Sequence, residues 1–323
     1  MKGIIIFIAR ILISFTFLYS GFVKLVDPLG SSYKFEEYFG ADVLNLEFLI
    51  PFALPFSILL ILVEIMLGLT LLIGYKPKST LWSLLGIILL FLFLTWYSAY
   101  LNKVTDCGCF GDALKLTPWE TFYKNVVLLV LLIPLLLNQS YINSFFSDNI
   151  MRNIVLLFLG IFIYITYYVL VHLPIVDFRA YAIGKNIQQG MEYKEDNDEL
   201  PPVHDFFLES ETNDYTQAIL SAEKAMLIIS YDLENSNPKG FSHLKKVAEE
   251  AILKGYLVYG VSASSLEDTL TIQEQYDLPF EFLFCDDTTL KTIIRSNPGV
   301  LILNKGTVAG KWNWRDSAKV FKK

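Results

Sequence analysis

Five stretches of this chain are long and apolar enough to cross a bilayer, and this constrains its architecture more than any other feature. They are residues 3–25, 51–74, 79–101, 119–138 and 152–173. A hydrocarbon core about 30 Å thick takes about 20 apolar residues in a helix. Inside it the backbone must satisfy its own polar groups, so spans of this kind fold as helices. Residue 3 follows Lys2, as the apolar part of a signal peptide follows its charged start. That run is too long, however, and no small-residue cleavage site comes after it, so it reads as a retained span. The apolar residues are concentrated before residue 175, and residues 185–323 read as ordinary globular sequence. The expected fold is an α-helical membrane bundle, four core helices plus a fifth span, followed by an α/β domain. The expected domains are 1–138 (four-helix membrane domain), 139–199 (fifth span and linker) and 200–323 (α/β domain).

The charges orient the set. With the N-terminus in the cytoplasm, the inner segments hold Lys2, Arg10, Lys76, Lys78 and Arg152 against Asp148. The first outer loop, 26–50, holds Asp27, Glu36, Glu37, Asp42 and Glu47 against Lys34. This is the positive-inside asymmetry of short loops. It places the C-terminal domain and the loop between spans three and four outside the cytoplasm, in a bacterial inner membrane. The net charge of −7 and the lack of a basic cluster argue against a nucleic-acid partner. Membrane lipid is the partner that the spans require.

Polar residues inside spans are costly and point to function or to a specific pairing. Glu64 lies well inside span two, and Arg10 inside span one. Counted from the inner ends at 1.5 Å per residue, Arg10 lies at about 10 Å and Glu64 at about 15 Å, so Arg10 is the expected partner of Glu64. A structural clamp, a proton or quinone role, and a snorkelling Arg10 beside a neutral Glu64 all stay open. A second polar group collects at the other end of the bundle: Tyr19, Ser20 and Lys24 closing span one, and Glu120, Lys124 and Asn125 opening span four. Thr117-Pro118-Trp119-Glu120 fits a capping box at that opening. Glu120 and Lys124 are placed to pair as i,i+4 neighbours.

The chain has three cysteines, and two of them stand one residue apart in Asp106-Cys107-Gly108-Cys109-Phe110-Gly111. Outside the cytoplasm such a pair can persist as a disulfide. Four readings remain open: a reversible redox disulfide, a structural one, metal ligands, or inert thiols. No His has ligand spacing to the pair, so no metal is expected. Lys24 or Lys124, if close, would raise the reactive thiolate fraction. Cys107, Cys109, Lys24 and Lys124 are therefore the candidate catalytic residues. Cys285 stands alone and reads as a buried small hydrophobe.

Beyond residue 200, buried-strand patterns at 224–231, 256–261 and 280–285 alternate with helical ones at 241–254 and 266–276. Ser296-Asn297-Pro298-Gly299 leads into a last strand. This region resembles a thioredoxin-like domain, and the resemblance makes Pro298 its cis-proline. Active thioredoxins carry a Cys-x-x-Cys motif after the first central strand. Here that place holds Asn235-Ser236-Asn237-Pro238, so this domain cannot exchange a dithiol alone. It either presents a thiol-bearing partner to the Cys pair or serves as a docking module.

The membrane half resembles the DoxX/MauE family of small four-helix membrane proteins. The resemblance rests on Tyr19-Ser20-Gly21-Phe22-Val23-Lys24-Leu25-Val26-Asp27-Pro28, on Glu64 with Gly68 and Gly74, on Cys107-Gly108-Cys109-Phe110-Gly111 and on Trp119-Glu120-Thr121-Phe122. It implies membrane-linked sulfur or thiol redox chemistry. MauE-like members act in methylamine utilisation with a thioredoxin-like partner, in maturing a disulfide-rich subunit. DoxX-like members are linked to thiosulfate:quinone oxidoreduction. The expected role is envelope thiol–disulfide exchange through Cys107 and Cys109, with a quinone or a partner protein as electron acceptor. The alternative is a non-enzymatic assembly factor whose outer domain docks a partner. A transporter would show inverted repeats or broken spans, and neither is evident.

Overall fold

The computed structural model describes residues 2–101, 108–193 and 201–322. They form two compact units, one up to Leu170 and one from Val171 onward.

In the first unit, five helical segments are long and apolar enough to cross a membrane. They comprise α1 (Lys2–Val26), α3 (Ala53–Ile73, preceded by the 3-10 turn Glu47–Phe52), α4 (Pro77–Leu101), α5 (Pro118–Leu137) and α6 (Asp148–Val171). A further helix, α2 (Pro28–Phe39), lies in what the sequence suggested was a loop. Its start is an ordinary one: the Asp27 carboxylate accepts from the Gly30 N–H at 3.0 Å and Pro28 takes the first turn. The expected capping box opens α5, with Thr117 and Glu120 satisfying each other's backbone N–H groups.

Between membrane helices there is no hydrophobic gain from excluding water, so close backbone approach matters most. Glycines provide it between α1 and α3. A Cβ at Gly21 would lie 2.7 Å from the Ile65 Cβ, and one at Gly68 would lie 2.9 Å from the Leu18 backbone nitrogen. These contacts set an antiparallel register with Leu18 opposite Gly68 and Gly21 opposite Ile65. Around them, Ile13 and Phe17 of α1, Leu84 and Ile88 of α4 and Leu128 and Leu132 of α5 form the bundle core. Phe162 and Ile165 bring α6 against Leu25, Ile61 and Ile65.

The second unit is α/β. Its sheet runs β3-β2-β1-β4-β5, with β1 (Ala225–Ile229) central, β2 (Leu257–Ser262) and β3 (Phe282–Phe284) parallel to it, β4 (Gly299–Asn304) antiparallel to β1, and β5 (Thr307–Asn313) antiparallel to β4. Every residue of β1 is buried, because both faces are covered. Met226 and Ile228 face α9 (Pro238–Leu253), through Phe241 and Leu244. Leu227 and Ile229 join Tyr181, Ile187 and Phe206 on the other face, together with Leu290 of α11 (Asp287–Ile293). Short helices α7 (Ile187–Gly190) and α8 (Thr216–Ser221) precede the sheet, and α10 (Leu266–Tyr276) joins β2 to β3. Tyr181 and Ile187 show that the stretch after α6, expected to be linker, supplies core residues to this unit.

That stretch is also held electrostatically. Asp177 binds the Arg179 Nε at 2.7 Å and the Lys311 Nζ at 2.8 Å. The same Lys311 Nζ donates to the Ile293 carbonyl, and Arg179 donates to that of Thr292. Burial alone would raise the Asp177 carboxyl, but Arg179 and Lys311 outweigh it and hold it at about 2. Burial, reinforced by Arg179, lowers the Lys311 ammonium to about 8.

Two predictions follow from this packing. Gly21→Leu should destabilise the bundle by about 1–3 kcal/mol, the cost of overpacking. Gly86→Leu should be near neutral, because a Cβ there meets nothing within 4 Å; thermal unfolding in detergent compares them. The Asp177 carboxyl sits below its unfolded value of 3.8, so its contribution is complete above that value and fades as pH falls towards 2. Asp177→Asn should therefore lower stability at pH 6 by on the order of 2 kcal/mol. It should also flatten the acid limb below pH 4, as tryptophan fluorescence would show.

Candidate functional site

The site lies where the loop after α4 returns to the C-terminal end of α1. Gly108 and Gly111 take positive φ, 63° and 49°, which lets the loop fold back sharply. A Cβ at Gly108 would meet the Lys34 Cγ of α2 at 2.8 Å, so only glycine fits there. Between them Cys109 is half-buried, and its carbonyl accepts from the Ser20 hydroxyl at 2.8 Å. The Phe110 ring packs 5.5 Å from that of Tyr19, with the Lys124 Nζ 4.5 Å above it.

Beneath the loop lies an ion pair. The Lys24 Nζ donates to both carboxylate oxygens of Glu64, at 2.9 and 2.8 Å, and to the Ser20 oxygen at 3.2 Å. Glu64 is 1% exposed and Lys24 6%. Three donated bonds use all three ammonium protons. The Phe91 ring lies 5.5 Å from the same nitrogen. Glu64 is thus connected through Lys24 and Ser20 to the Cys109 backbone.

The expected Arg10–Glu64 pair is corrected here. Arg10 instead caps the end of α3: Nε donates to the Leu71 carbonyl at 2.9 Å, and Nη2 to that of Leu72 at 2.7 Å. Nη1 reaches the Asn143 carbonyl at 3.2 Å, and the guanidinium lies 5.2 Å from the Phe145 ring. The depth argument took the two helix ends to be level. The glycine register sets the start of α1 about three turns past the end of α3, so Arg10 meets terminal carbonyls rather than the middle of the span. A cation at a helix C-terminus is well placed, and here it adds a second donor to the Leu71 carbonyl, which also accepts from the Gly74 N–H at 3.2 Å. The expected Glu120–Lys124 contact is also replaced. Glu120 accepts from the Thr117 backbone and hydroxyl, both at 2.8 Å, while Lys124 turns to Phe110.

Of the other sequence-predicted residues, Cys107 lies outside the described residues. Lys24 and Cys109 both line a cavity of about 100 Å³, which is walled by α2, α3 and α4. The α2 side chains Lys34, Phe35 and Tyr38 in that wall were missed, although the Asp27-Pro28 helix start was present in the sequence to reveal them. Cys285 is 1% exposed, and burial pushes its thiol up to about 12, so it is inert at neutral pH.

In the α/β unit the Asn297–Pro298 peptide is cis. Pro298 faces Gly240 near the start of α9, where a Cβ would meet its ring at 2.6 Å. Beside it Asn297 Oδ1 accepts from the Ser230 and Ser236 hydroxyls at 2.9 and 3.0 Å, and the Asn297 amide donates to the Asp232 carbonyl at 2.6 Å.

Residues 2–138 match the family described as Methylamine utilisation protein MauE. The chain is therefore a MauE-like membrane protein over that stretch, which ends at the close of α5. No curated protein matches the chain.

Removing one member of a buried ion pair strands the other, at about 3–5 kcal/mol. Lys24→Met and Glu64→Leu should each lose about that much in detergent melts. The double variant should recover most of it, since it leaves no unpaired charge.

Proposed function

We propose that this MauE-like membrane protein carries out thiol–disulfide exchange through Cys109 and Cys107. The observation that carries the reading is the seat of Cys109. Its loop is tied through Ser20 to a buried Lys24–Glu64 pair. This fixes the backbone that carries the half-buried Cys109. In the oxidised form, a client thiolate attacks one sulfur of the pair and the other leaves as thiolate. A second client thiol then resolves the mixed disulfide. The client becomes a disulfide and the pair a dithiol, whose two electrons pass to an acceptor in the membrane or to a partner protein. Lys24, tied to the loop through Ser20, and Lys124, over the Phe110 ring, are the candidate supporting cations of this reading. The charge asymmetry of the loops supports an extracytoplasmic face for this site, a cytoplasmic N-terminus and a bacterial inner membrane.

We read the α/β unit as thioredoxin-like. Three parallel strands followed by an antiparallel pair, with a cis-proline entering β4 beside the start of α9, support this. At Asn235–Pro238 it has no thiol. The hydroxyls of Ser230 and Ser236 are already bonded to Asn297, which favours docking of a thiol-bearing partner over chemistry of its own. If the Cys pair is structural, the same observation supports the second reading, a membrane assembly factor.

Thiol trapping of the full chain in membranes, across a series of glutathione potentials, tests the reading. A Cys285→Ser background leaves only the pair to report. A two-electron transition near about −200 mV is expected, within the range of exchange catalysts. A pair that stays oxidised below about −300 mV, as structural disulfides do, would overturn exchange, as would a pair that never oxidises.

A further inference from the structure

We infer that the α/β unit carries a basic surface that binds the anionic head groups of the membrane to which α6 tethers it. This role does not depend on thiol exchange. Charge segregation is the first argument. Residues 171–323 hold 16 Lys and Arg against 23 Asp and Glu, so the unit as a whole is repelled by an anionic surface. Six of its cations nevertheless gather on one side. Along α9, Lys239, His243, Lys246, Glu250 and Lys254 follow one another at spacings of three and four, which puts them on one face. The 3-10 helix Trp314–Lys319 and the residues after it run beside that face. The Trp314 ring lies 5.7 Å from that of His243, and the Phe321 ring 4.1 Å from the Lys254 Nζ. This segment adds Arg315, Lys319 and Lys322, all exposed. Glu250 and Asp316, which stand among the cations, are paired with Lys254 and Lys319, both at 2.7 Å. No single run of the sequence displays the cluster, since two separate segments supply it.

Position is the second argument. Helix α6 ends at Val171, and Tyr164, Tyr167 and Tyr168 are exposed in its last turns, an aromatic belt of the kind that marks a membrane–water interface. His172 follows at once. Its Nδ1 lies 2.5 Å from an Asp316 carboxylate oxygen, and its carbonyl accepts from the Asn313 side chain at 3.0 Å. The 3-10 helix that carries Arg315 and Lys319 is therefore bonded to the residue that leaves the bilayer. His172 stands about 6 Å beyond Tyr168, and a head-group layer is about 5–7 Å thick. This end of the basic surface thus starts among the head groups.

The apolar residues nearby are the third argument, and they favour lipid over an acidic protein. Ile175, Val176 and Phe178, in the same stretch as His172, are exposed. Exposed apolar side chains together with cations suit a bilayer surface, where the former enter the acyl boundary and the latter meet phosphates. An acidic protein would match the cations and leave these three in water. Each Lys or Arg held near an anionic bilayer strengthens binding about fivefold. The acidic remainder of the unit keeps its other sides off the membrane, so charge selects one orientation.

The test uses the full chain in lipid nanodiscs, either of phosphatidylcholine alone or with phosphatidylglycerol added. Acetylation rates of single lysines are read by mass spectrometry. Lys246, Lys319 and Lys322 should label about fivefold more slowly in the anionic discs, and high salt should remove the difference. Lys185 and Lys305 should label alike in both lipids. They lie at the opposite end of β5 from Asn313, where the Lys185 carbonyl accepts from the Val308 N–H at 2.9 Å. In Lys246→Glu/Arg315→Glu most of the slowing at Lys319 and Lys322 should disappear, whereas Arg315→Lys should keep it. Both positions are exposed, and the rates at Lys185 and Lys305 report the fold. Equal labelling of Lys319 and Lys322 in the two lipids would overturn the proposal, as would slowing that salt or charge reversal leaves untouched. Slowing seen in native membranes and lost in purified anionic discs would overturn it too, and would make the surface a dock for an acidic protein.

Discussion

A lysine and a glutamate that neutralise each other inside the bilayer are the constraint on which the membrane unit turns. Lys24 stands near the end of α1 and Glu64 in the middle of α3, and their charged atoms meet at 2.8 Å. This contact requires the helices to approach closely, which Gly21 and Gly68 permit, and to hold one register. A slip of one turn, about 5.4 Å, would strand two charges in hydrocarbon. Packing and electrostatics thus specify the same arrangement, and each makes errors in the other more costly.

Arg10 shows the same economy at the other end of the pair. Its guanidinium has no carboxylate partner in the bonds described above. It is satisfied by carbonyls at the end of α3 and by the Asn143 carbonyl, and it lies against an aromatic ring. Two helices are therefore held together at two levels by chemically different means. One level uses full charges, the other a cation on the exposed carbonyl end of a helix dipole.

The parts legible in the sequence were those with local signals. Runs of about 20 apolar residues identify the spans, Thr117 and Glu120 announce the start of α5, and buried runs mark β1 and β2. What was missed needed the third dimension. Residue counting placed Arg10 at the depth of Glu64 because nothing local reports an axial offset between helices. Helix α2 was hidden by its mixed composition, although Asp27-Pro28 marks its start. In the α/β unit α9 begins at Pro238 rather than 241, because Asn237 caps it and Pro238 fits its first turn. The stretch expected to be a linker earned a place in the core through Tyr181 and Ile187, two isolated apolar residues with no periodicity around them.

The ion pair poses a question that stability alone does not answer. Buried pairs can often be replaced by apolar residues of similar size at no loss, or even with a gain. A Lys–Glu pair at this depth is thus a weak way to hold two helices that already interlock through glycines. Its third bond is what an apolar pair could not supply. Lys24 donates to Ser20, and this leaves the Ser20 proton free to hold the Cys109 carbonyl. Met and Leu in these positions could fill the space and recover most of the stability, but they would leave the Ser20 oxygen without this donor. The physical case for the pair is therefore the third bond it supplies, which fixes Ser20 and through it the backbone of the Cys109 loop.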